Sequence, residues 1–140
     1  MTARLVREAP RPAGMAAPAG PYSHATSLGN QLFVSGLLAL DQQGRLVGAG
    51  DAGAQARFVL ETLGDILKAA GSGARHVAKL NIYLIDLTDR AAVNAARRAF
   101  FGDWQPASTL VQVAGLIGEG TLLEIEAVAA IPAPPEQDPP

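Results

Sequence analysis

Hydrophobic and polar positions follow two different periods along the chain. Leu80, Ile82 and Leu84 alternate with polar residues inside the segment 76–85, and a period of two predicts a strand with one buried face. Between residues 51 and 70, apolar residues recur every three or four positions, which predicts an amphipathic helix. Together the two periods predict strands at residues 3–8, 22–27, 31–40, 76–85, 108–114 and 121–131, and helices at residues 51–70 and 89–101.

Glycine and proline mark the ends of these elements. Gly29 and Asn30 separate two predicted strands, and their tolerance of positive φ predicts a hairpin turn. Gly71 and Gly102 follow the two predicted helices, where glycine commonly ends a helix. The segment 10–20 contains three prolines and two glycines, so a loop stiffened by proline is expected there.

The order of elements predicts an α+β fold with a single mixed sheet and two helices on one face. One domain spans residues 1–131, because a chain of 140 residues has room for one core. Residues 132–140 are expected to form a disordered, proline-rich tail with no assigned function. This arrangement leaves the opposite face of the sheet with no predicted element packed against it.

Composition narrows the classes of function. The net charge is -2 and the sequence pI is about 5.6, so the basic surface of a nucleic-acid binder is not expected. The chain has no cysteine, which excludes disulfides, thiol nucleophiles and cysteine-based zinc sites. No apolar run reaches the length of a membrane span. We therefore expect a cytoplasmic protein whose ligand is a small molecule.

Polar residues on the uncovered sheet face allow two interpretations. Glu124 and Glu126 point to one side of their strand, and Lys79 and Asn81 lie on the alternate face of another. These side chains could simply be solvated, as is common on an amphipathic strand. Alternatively, an oligomer could bury this face and pair the carboxylates with Lys79. The spacing alone does not identify an active site.

An ordered series of short motifs resembles the RidA/YjgF family, also known as the L-PSP endoribonuclease family. The resemblance extends from about Gly20 to Ile131. The matching segments, in chain order, are Gly20-Pro21-Tyr22-Ser23-His24-Ala25, Gly29-Asn30, Phe33-Val34-Ser35-Gly36, Gln55, Val59-Leu60-Glu61-Thr62-Leu63, Ala69-Ala70-Gly71, Val77-Ala78-Lys79, Asp86, Val93-Asn94, Phe100-Phe101, Pro106-Ala107 and Glu124-Ile125-Glu126-Ala127.

The resemblance implies a chorismate-mutase-like fold assembled as a homotrimer with a central barrel of sheets. It also implies a ligand cleft between neighbouring subunits, where active members hydrolyse enamines or imines to carbonyl compounds and ammonia without a cofactor or metal. By motif match, Tyr22, Ser35, Gly36 and Asn94 would line the cleft. Glu124 would hold the attacking water, a task suited to one carboxylate.

The sequence departs from the family pattern where an arginine usually follows the Pro-Ala pair. That position is Ser108, and a hydroxyl does not replace a guanidinium that grips a carboxylate with two hydrogen bonds. Leu37 and Leu110 also reduce polarity near the expected cleft, although packing is an equally good explanation for both. Ser108 and Leu110 are expected to be substrate-binding positions. If the two leucines line the cleft, a less anionic or bulkier ligand is expected. Replacement charge from a helix arginine, such as Arg97, has little support from the sequence.

Three functions follow from these observations. The favoured one is hydrolysis of an enamine or imine other than a simple 2-imino acid. The alternative is a trimer that binds a small metabolite without catalysis. Ribonuclease activity fits least well, because the chain is acidic and His24 and His76 form no evident pair. His24 is expected to fill a strand position and not to act as a general base.

Overall fold

The computed structural model describes residues 5–134. Its elements follow the predicted order: three strands, a helix, a strand, a helix and two strands. The strands are β1 (Val6–Glu8), β2 (Ala25–Leu28), β3 (Gln31–Leu37), β4 (Val77–Leu84), β5 (Ala107–Gln112) and β6 (Leu123–Ala130), and the helices are α1 (Ala52–Ala69) and α2 (Arg90–Phe101). Short 3-10 turns at Ala74–His76 and Leu87–Asp89 precede β4 and α2.

All six strands form one sheet in the order β1-β2-β3-β6-β4-β5. The β4–β5 pair is parallel and the other pairs are antiparallel, so the predicted mixed sheet and α+β class are confirmed. The parallel pair arises because α2 connects β4 to β5, which returns the chain in the same direction. In the strand order, β5 is an edge strand and β6 lies between β3 and β4.

Only some of the polar residues at the helix ends act as caps. The Asp51 side chain caps α1 by accepting a hydrogen bond from the Ala54 amide at 3.0 Å. The helix ends at Ala69, Ala70 is its C-cap, and Gly71 follows with a φ of 79°. Asp89 precedes α2 without a side-chain cap, whereas Asp86 caps the 3-10 turn before it.

The buried Gln55 joins α1 to two other parts of the chain. Its side-chain amide donates to the carbonyls of Gly48 at 3.1 Å and Gly120 at 3.0 Å. Its carbonyl oxygen accepts a hydrogen bond from the Leu122 amide at 2.9 Å. Since Gln55 is fully buried, these three bonds replace water for a polar side chain inside the core. They also fix the start of β6.

The two sheet faces differ in chemistry. Both helices cover one face, where Leu80, Ile82 and Ile125 are fully buried. The opposite face carries partly exposed polar residues in the middle of the sheet, namely Lys79, Asn81, Tyr83, Glu124 and Glu126. No element among residues 5–134 covers this face, which we call the open face.

The described residues include only the beginning of the predicted C-terminal tail. The proline-rich tail was predicted at residues 132–140, of which 135–140 lie outside the described residues. Within residues 5–134, neither helix is both long enough and apolar enough to cross a membrane.

Candidate active site

A β-bulge in β3 creates the close contact at the centre of the candidate site. Val34 pairs with Ala127 and Leu37 with Ile125, so β3 has one more residue than β6 between these pairs. Gly36 lies in this bulge. A Cβ atom at Gly36 would overlap the Glu124 carboxylate and would lie 2.7 Å from its carboxyl carbon. Glycine is therefore required here because the Glu124 side chain occupies the space above it.

Partial burial and a neighbouring negative charge both raise the pKa of Glu124. Its side chain is partly buried on the open face, and partial burial raises the pKa of Glu124 above its ordinary value of 4.5. The nearby carboxylate of Glu126 raises the same pKa further. Among the described residues, no lysine or arginine pairs with Glu124 and no side chain donates a hydrogen bond to it. The carboxylate is thus available to a water molecule or ligand.

Glu126 has a different environment, although it lies on the same face. It accepts a hydrogen bond from the Asn81 amide at 3.0 Å and another from the Tyr83 hydroxyl. The hydrogen bond to Glu126 is the main reason that the pKa of Tyr83 is raised, with burial as the second cause. Two side-chain hydrogen bonds therefore hold the Glu126 carboxylate in place, whereas no described side chain donates a hydrogen bond to Glu124.

Within the described chain, Lys79 pairs with neither of these carboxylates. The Lys79 ammonium donates to the Thr109 hydroxyl at 2.7 Å. This contact follows from the register, because Thr109 on β5 is aligned with Asn81 and so lies on the same face as Lys79. The lysine therefore reaches outward to the edge strand, and Glu124 keeps no cationic partner within the described chain.

The loop before β2 lies beside Gly36. Tyr22 and Gly36 both line a cavity of about 240 Å³, together with His24 and part of the proline-rich loop. The Ser35 hydroxyl donates to the Ser23 carbonyl at 2.6 Å, so this side chain holds the loop against β3. Tyr22 remains 52% exposed. Gly36 therefore borders both the cavity that Tyr22 lines and the carboxylate of Glu124.

His24 lines the same cavity as Tyr22, whereas His76 does not. The His24 ring nitrogen Nε2 lies 3.1 Å from the Ala16 carbonyl and can donate to it, which ties two parts of the loop together. His76 is exposed and ends the 3-10 turn before β4. The prediction that His24 fills a strand position is wrong, because β2 begins one residue later, at Ala25.

Ser108, Leu110 and Asn94 lie elsewhere in the chain. Ser108 is aligned with the buried Leu80, and Leu110 with Ile82, so both side chains belong to the helix-covered face of the sheet. Glu124 is on the open face, and β4 separates its strand from β5. Asn94 is on α2 and lines a second cavity, which is described below. A single chain does not bring these residues to Glu124.

The two leucines that depart from the family pattern both pack against the core. Leu37 is 6% exposed, and Leu110 is partly buried against the core cluster. Leu37 also lines the cavity beside Tyr22. Packing is therefore a sufficient reason for either leucine.

Sequence reasoning did not identify Tyr83 as part of this region. Tyr83 is aligned with Glu124 across the β4–β6 pair and donates to Glu126. The alternation in β4 already placed Tyr83 on the polar face, but the register with β6 was needed to reveal its partner. Gln55 belongs to the motif series that resembles the family. The motif alone does not reveal its hydrogen bonds to Gly48, Gly120 and Leu122, because they depend on the folded chain.

Comparisons with known proteins identify the family. The family model for endoribonuclease L-PSP matches residues 13–131. The 3-aminoacrylate deaminase RutC of Acinetobacter baylyi is 41% identical over 120 residues, which are 86% of this chain and 94% of the relative.

Solved structures show the same fold. The YjgF gene product of Escherichia coli superimposes with a TM-score of 0.79 at 33% identity, covering 89% of this chain and 98% of that chain. Escherichia coli TdcF with bound serine has a TM-score of 0.80 at 31% identity, with the same coverage. This chain therefore belongs to the endoribonuclease L-PSP family, the RidA/YjgF family that its motifs predicted.

Proposed function

We propose that this protein hydrolyses a reactive enamine or imine to a carbonyl compound and ammonia, with Glu124 as the base. The observation that carries the proposal is the Glu124 carboxylate, which is partly buried above Gly36 and unpaired among the described residues. A general base needs a pKa near the working pH, and the raised pKa of Glu124 moves in that direction. The name of the relative RutC, a 3-aminoacrylate deaminase, supports the same class of reaction.

The reaction requires little from the protein beyond water activation and orientation. Glu124 accepts a proton from a water molecule as the water oxygen bonds to the carbon of a protonated imine. The nitrogen of the tetrahedral carbinolamine takes up the proton from Glu124 and becomes a good leaving group. The C–N bond then breaks and ammonia leaves, while the hydroxyl group gives its proton to Glu124 and the carbon–oxygen double bond forms. Glu124 finally releases this proton to solvent. An enamine enters the same path after protonation at carbon.

The rest of the cleft is proposed to come from a second copy of the chain. Tyr22, Ser35 and Gly36 would contact the ligand on the Glu124 side. Asn94, Ser108 and Leu110 belong to other surfaces of the chain, so they reach the ligand only if a neighbouring subunit supplies them. A homotrimer would provide this arrangement and cover the open face, and sedimentation equilibrium should give three times the chain mass of 14.4 kDa.

Ser108 directs the choice of substrate. Its hydroxyl cannot make the paired, charged hydrogen bonds that an arginine makes to a carboxylate. We therefore propose a substrate different from a simple 2-imino acid. The alternative is a trimer that binds a small metabolite without turning it over, and the same substitution favours it. A ribonuclease has less support, because the two histidines are not paired near Glu124.

Ammonia release from a panel of enamines and imines generated in situ distinguishes these functions. The panel contains members with and without an α-carboxylate, and wild type is compared with Ser108→Arg. Release by wild type from any member supports the hydrolase and identifies its substrate class. Release by Ser108→Arg alone, with none by wild type, rejects the hydrolase and supports the binding protein.

A further inference from the structure

A second cavity lies at the carboxyl end of α2, on a different part of the chain from Glu124. It has a volume of about 250 Å³ and is bounded by α2 and by the loop that leads into β5. Asn94, Arg97 and Arg98 contribute polar groups from the helix, and Trp104 and Pro106 contribute apolar surface from the loop.

The two arginines have no anionic partner in the described structure. No carboxylate among residues 5–134 lies within ion-pair distance of Arg97 or Arg98. This includes Asp103, which is in the adjoining loop. Partial burial, and secondarily the charge of Arg98, lower the pKa of Arg97. Two neighbouring like charges at the edge of a cavity gain most from an anion that binds between them.

Other contacts hold the cavity in shape for a ligand. A terminal nitrogen of Arg97 donates to the side-chain oxygen Oδ1 of Asn94 at 3.3 Å, which leaves the remaining donors of the guanidinium for another acceptor. The Trp104 indole N–H donates to the Val77 carbonyl at 2.8 Å, so the ring is tied to the start of β4. The cavity therefore combines a positioned cation with a fixed aromatic wall.

We propose that this cavity binds the carboxylate of a small organic anion, with Arg97 as the main contact and Arg98 as support. A planar guanidinium matches a carboxylate with two parallel hydrogen bonds. The apolar part of the anion packs against Trp104 and Pro106. A small organic carboxylate is favoured over a bare inorganic anion because Phe101, Trp104 and Pro106 add apolar surface to the same cavity.

The position of the cavity connects the anion site to the proposed reaction. Pro106 is two residues before Ser108, the position where the family arginine is replaced. Asn94, a predicted cleft residue, lines the same cavity. Resting on the proposed function, we infer that Arg97 supplies the carboxylate contact that Ser108 lacks. The proposed substrate would then keep an anionic group, held by the helix and not by β5.

The sole tryptophan of the chain gives a direct measurement of binding, since Trp104 lines the cavity. Wild type is titrated with crotonate, a small planar carboxylate, and with crotonamide, its uncharged counterpart, while tryptophan fluorescence is followed. A saturable change with crotonate and none with crotonamide is expected. In Arg97→Gln, the crotonate dissociation constant should rise at least about tenfold, the cost of losing a charged hydrogen-bond donor.

Matched variants make the result specific. Arg90→Gln removes an exposed arginine from the start of the same helix and should bind crotonate like wild type. An equal loss in Arg90→Gln, a response to crotonamide equal to that for crotonate, or no saturable response in wild type would overturn the site. A response to inorganic phosphate without one to crotonate would overturn the assignment to a carboxylate.

The anion site and the proposed reaction can fail separately. If crotonate binding depends on Arg97 but no panel compound releases ammonia, the site stands and the hydrolase does not. If turnover occurs and Arg97→Gln leaves KM unchanged, the hydrolase stands and the anchor role of Arg97 is rejected. Raised KM in Arg97→Gln with little change in kcat supports the anchor, because it indicates lost substrate binding.

Discussion

The carboxylate of Glu124 lies directly over Gly36, in space that any other residue would fill with its Cβ atom. The bulge in β3 creates this contact, since the extra residue between Val34 and Leu37 brings the glycine against β6. The glycine and the glutamate are 88 positions apart in sequence. Gly36 also lines the cavity that Tyr22 lines, so this glycine borders both the cavity and the unpaired carboxylate.

Gly36→Ala should displace Glu124 and reduce any Glu124-dependent activity strongly. The added methyl group has no room, and overpacking of this kind costs about 1–3 kcal/mol of unfolding free energy. Chemical denaturation measures the stability and ammonia release measures the activity. Gly73→Ala is the matched control, because Gly73 is extended and has no atom near its Cβ position. Equal activity in the two variants would contradict the positioning of Glu124 by Gly36.

The pH dependence of activity should report the ionisation of Glu124. A base works when deprotonated, so the rate should rise with pH through the raised pKa of Glu124. Glu126→Gln removes a negative charge that contributes to this raised pKa. The acidic limb of the pH–rate profile should therefore move to lower pH in Glu126→Gln. An unchanged limb, or a shift to higher pH, would exclude this electrostatic coupling.

The same raised pKa predicts how stability changes with pH. The folded protein holds the Glu124 proton more tightly than the unfolded chain does, so this group stabilises the fold fully below its unfolded pKa of about 4.5. That contribution is lost as pH rises through the folded pKa. Glu124→Gln should remove this part of the pH dependence, which denaturant midpoints at a series of pH values would measure. A pH dependence identical to that of wild type would disprove the assignment.

Gln55→Leu should destabilise the protein through its backbone partners. The substitution keeps an apolar side chain in the core but leaves the carbonyls of Gly48 and Gly120 and the amide of Leu122 without their bonds. The expected loss is roughly 2–4 kcal/mol of unfolding free energy, because buried polar groups without partners are costly. Glu61→Leu, on the same helix at an exposed position, is the control. Similar losses in both variants would argue against these bonds.

The sequence predicted the order of the elements because periodicity and turn residues are local signals. The helix at 51–70 and the strand at 76–85 each differ from the structure by one residue at either end. The strand predicted at 31–40 ends earlier, at Leu37, just after the bulge. A bulge depends on the pairing partner, so alternation within one strand does not reveal it.

The sequence indicated only part of the candidate site, because the rest depends on how the strands pair. Motif resemblance indicated Tyr22, Gly36 and Glu124, and in the fold Gly36 borders both the cavity that Tyr22 lines and the Glu124 carboxylate. It did not reveal that Ser108 lies on the opposite face of the sheet from Glu124, because that depends on the register between β4 and β5. The contact between Lys79 and Thr109 depends on the same register.

The central claim is that Glu124, and not its neighbour Glu126, is the catalytic base. The most direct test measures ammonia release from the best compound of the panel by wild type, Glu124→Gln and Glu126→Gln. Glu124→Gln should lose at least about 100-fold in kcat, the usual contribution of a general base, while Glu126→Gln retains most of the activity. If Glu124→Gln releases ammonia at the wild-type rate, or if Glu126→Gln alone is inactive, the proposed role of Glu124 is wrong.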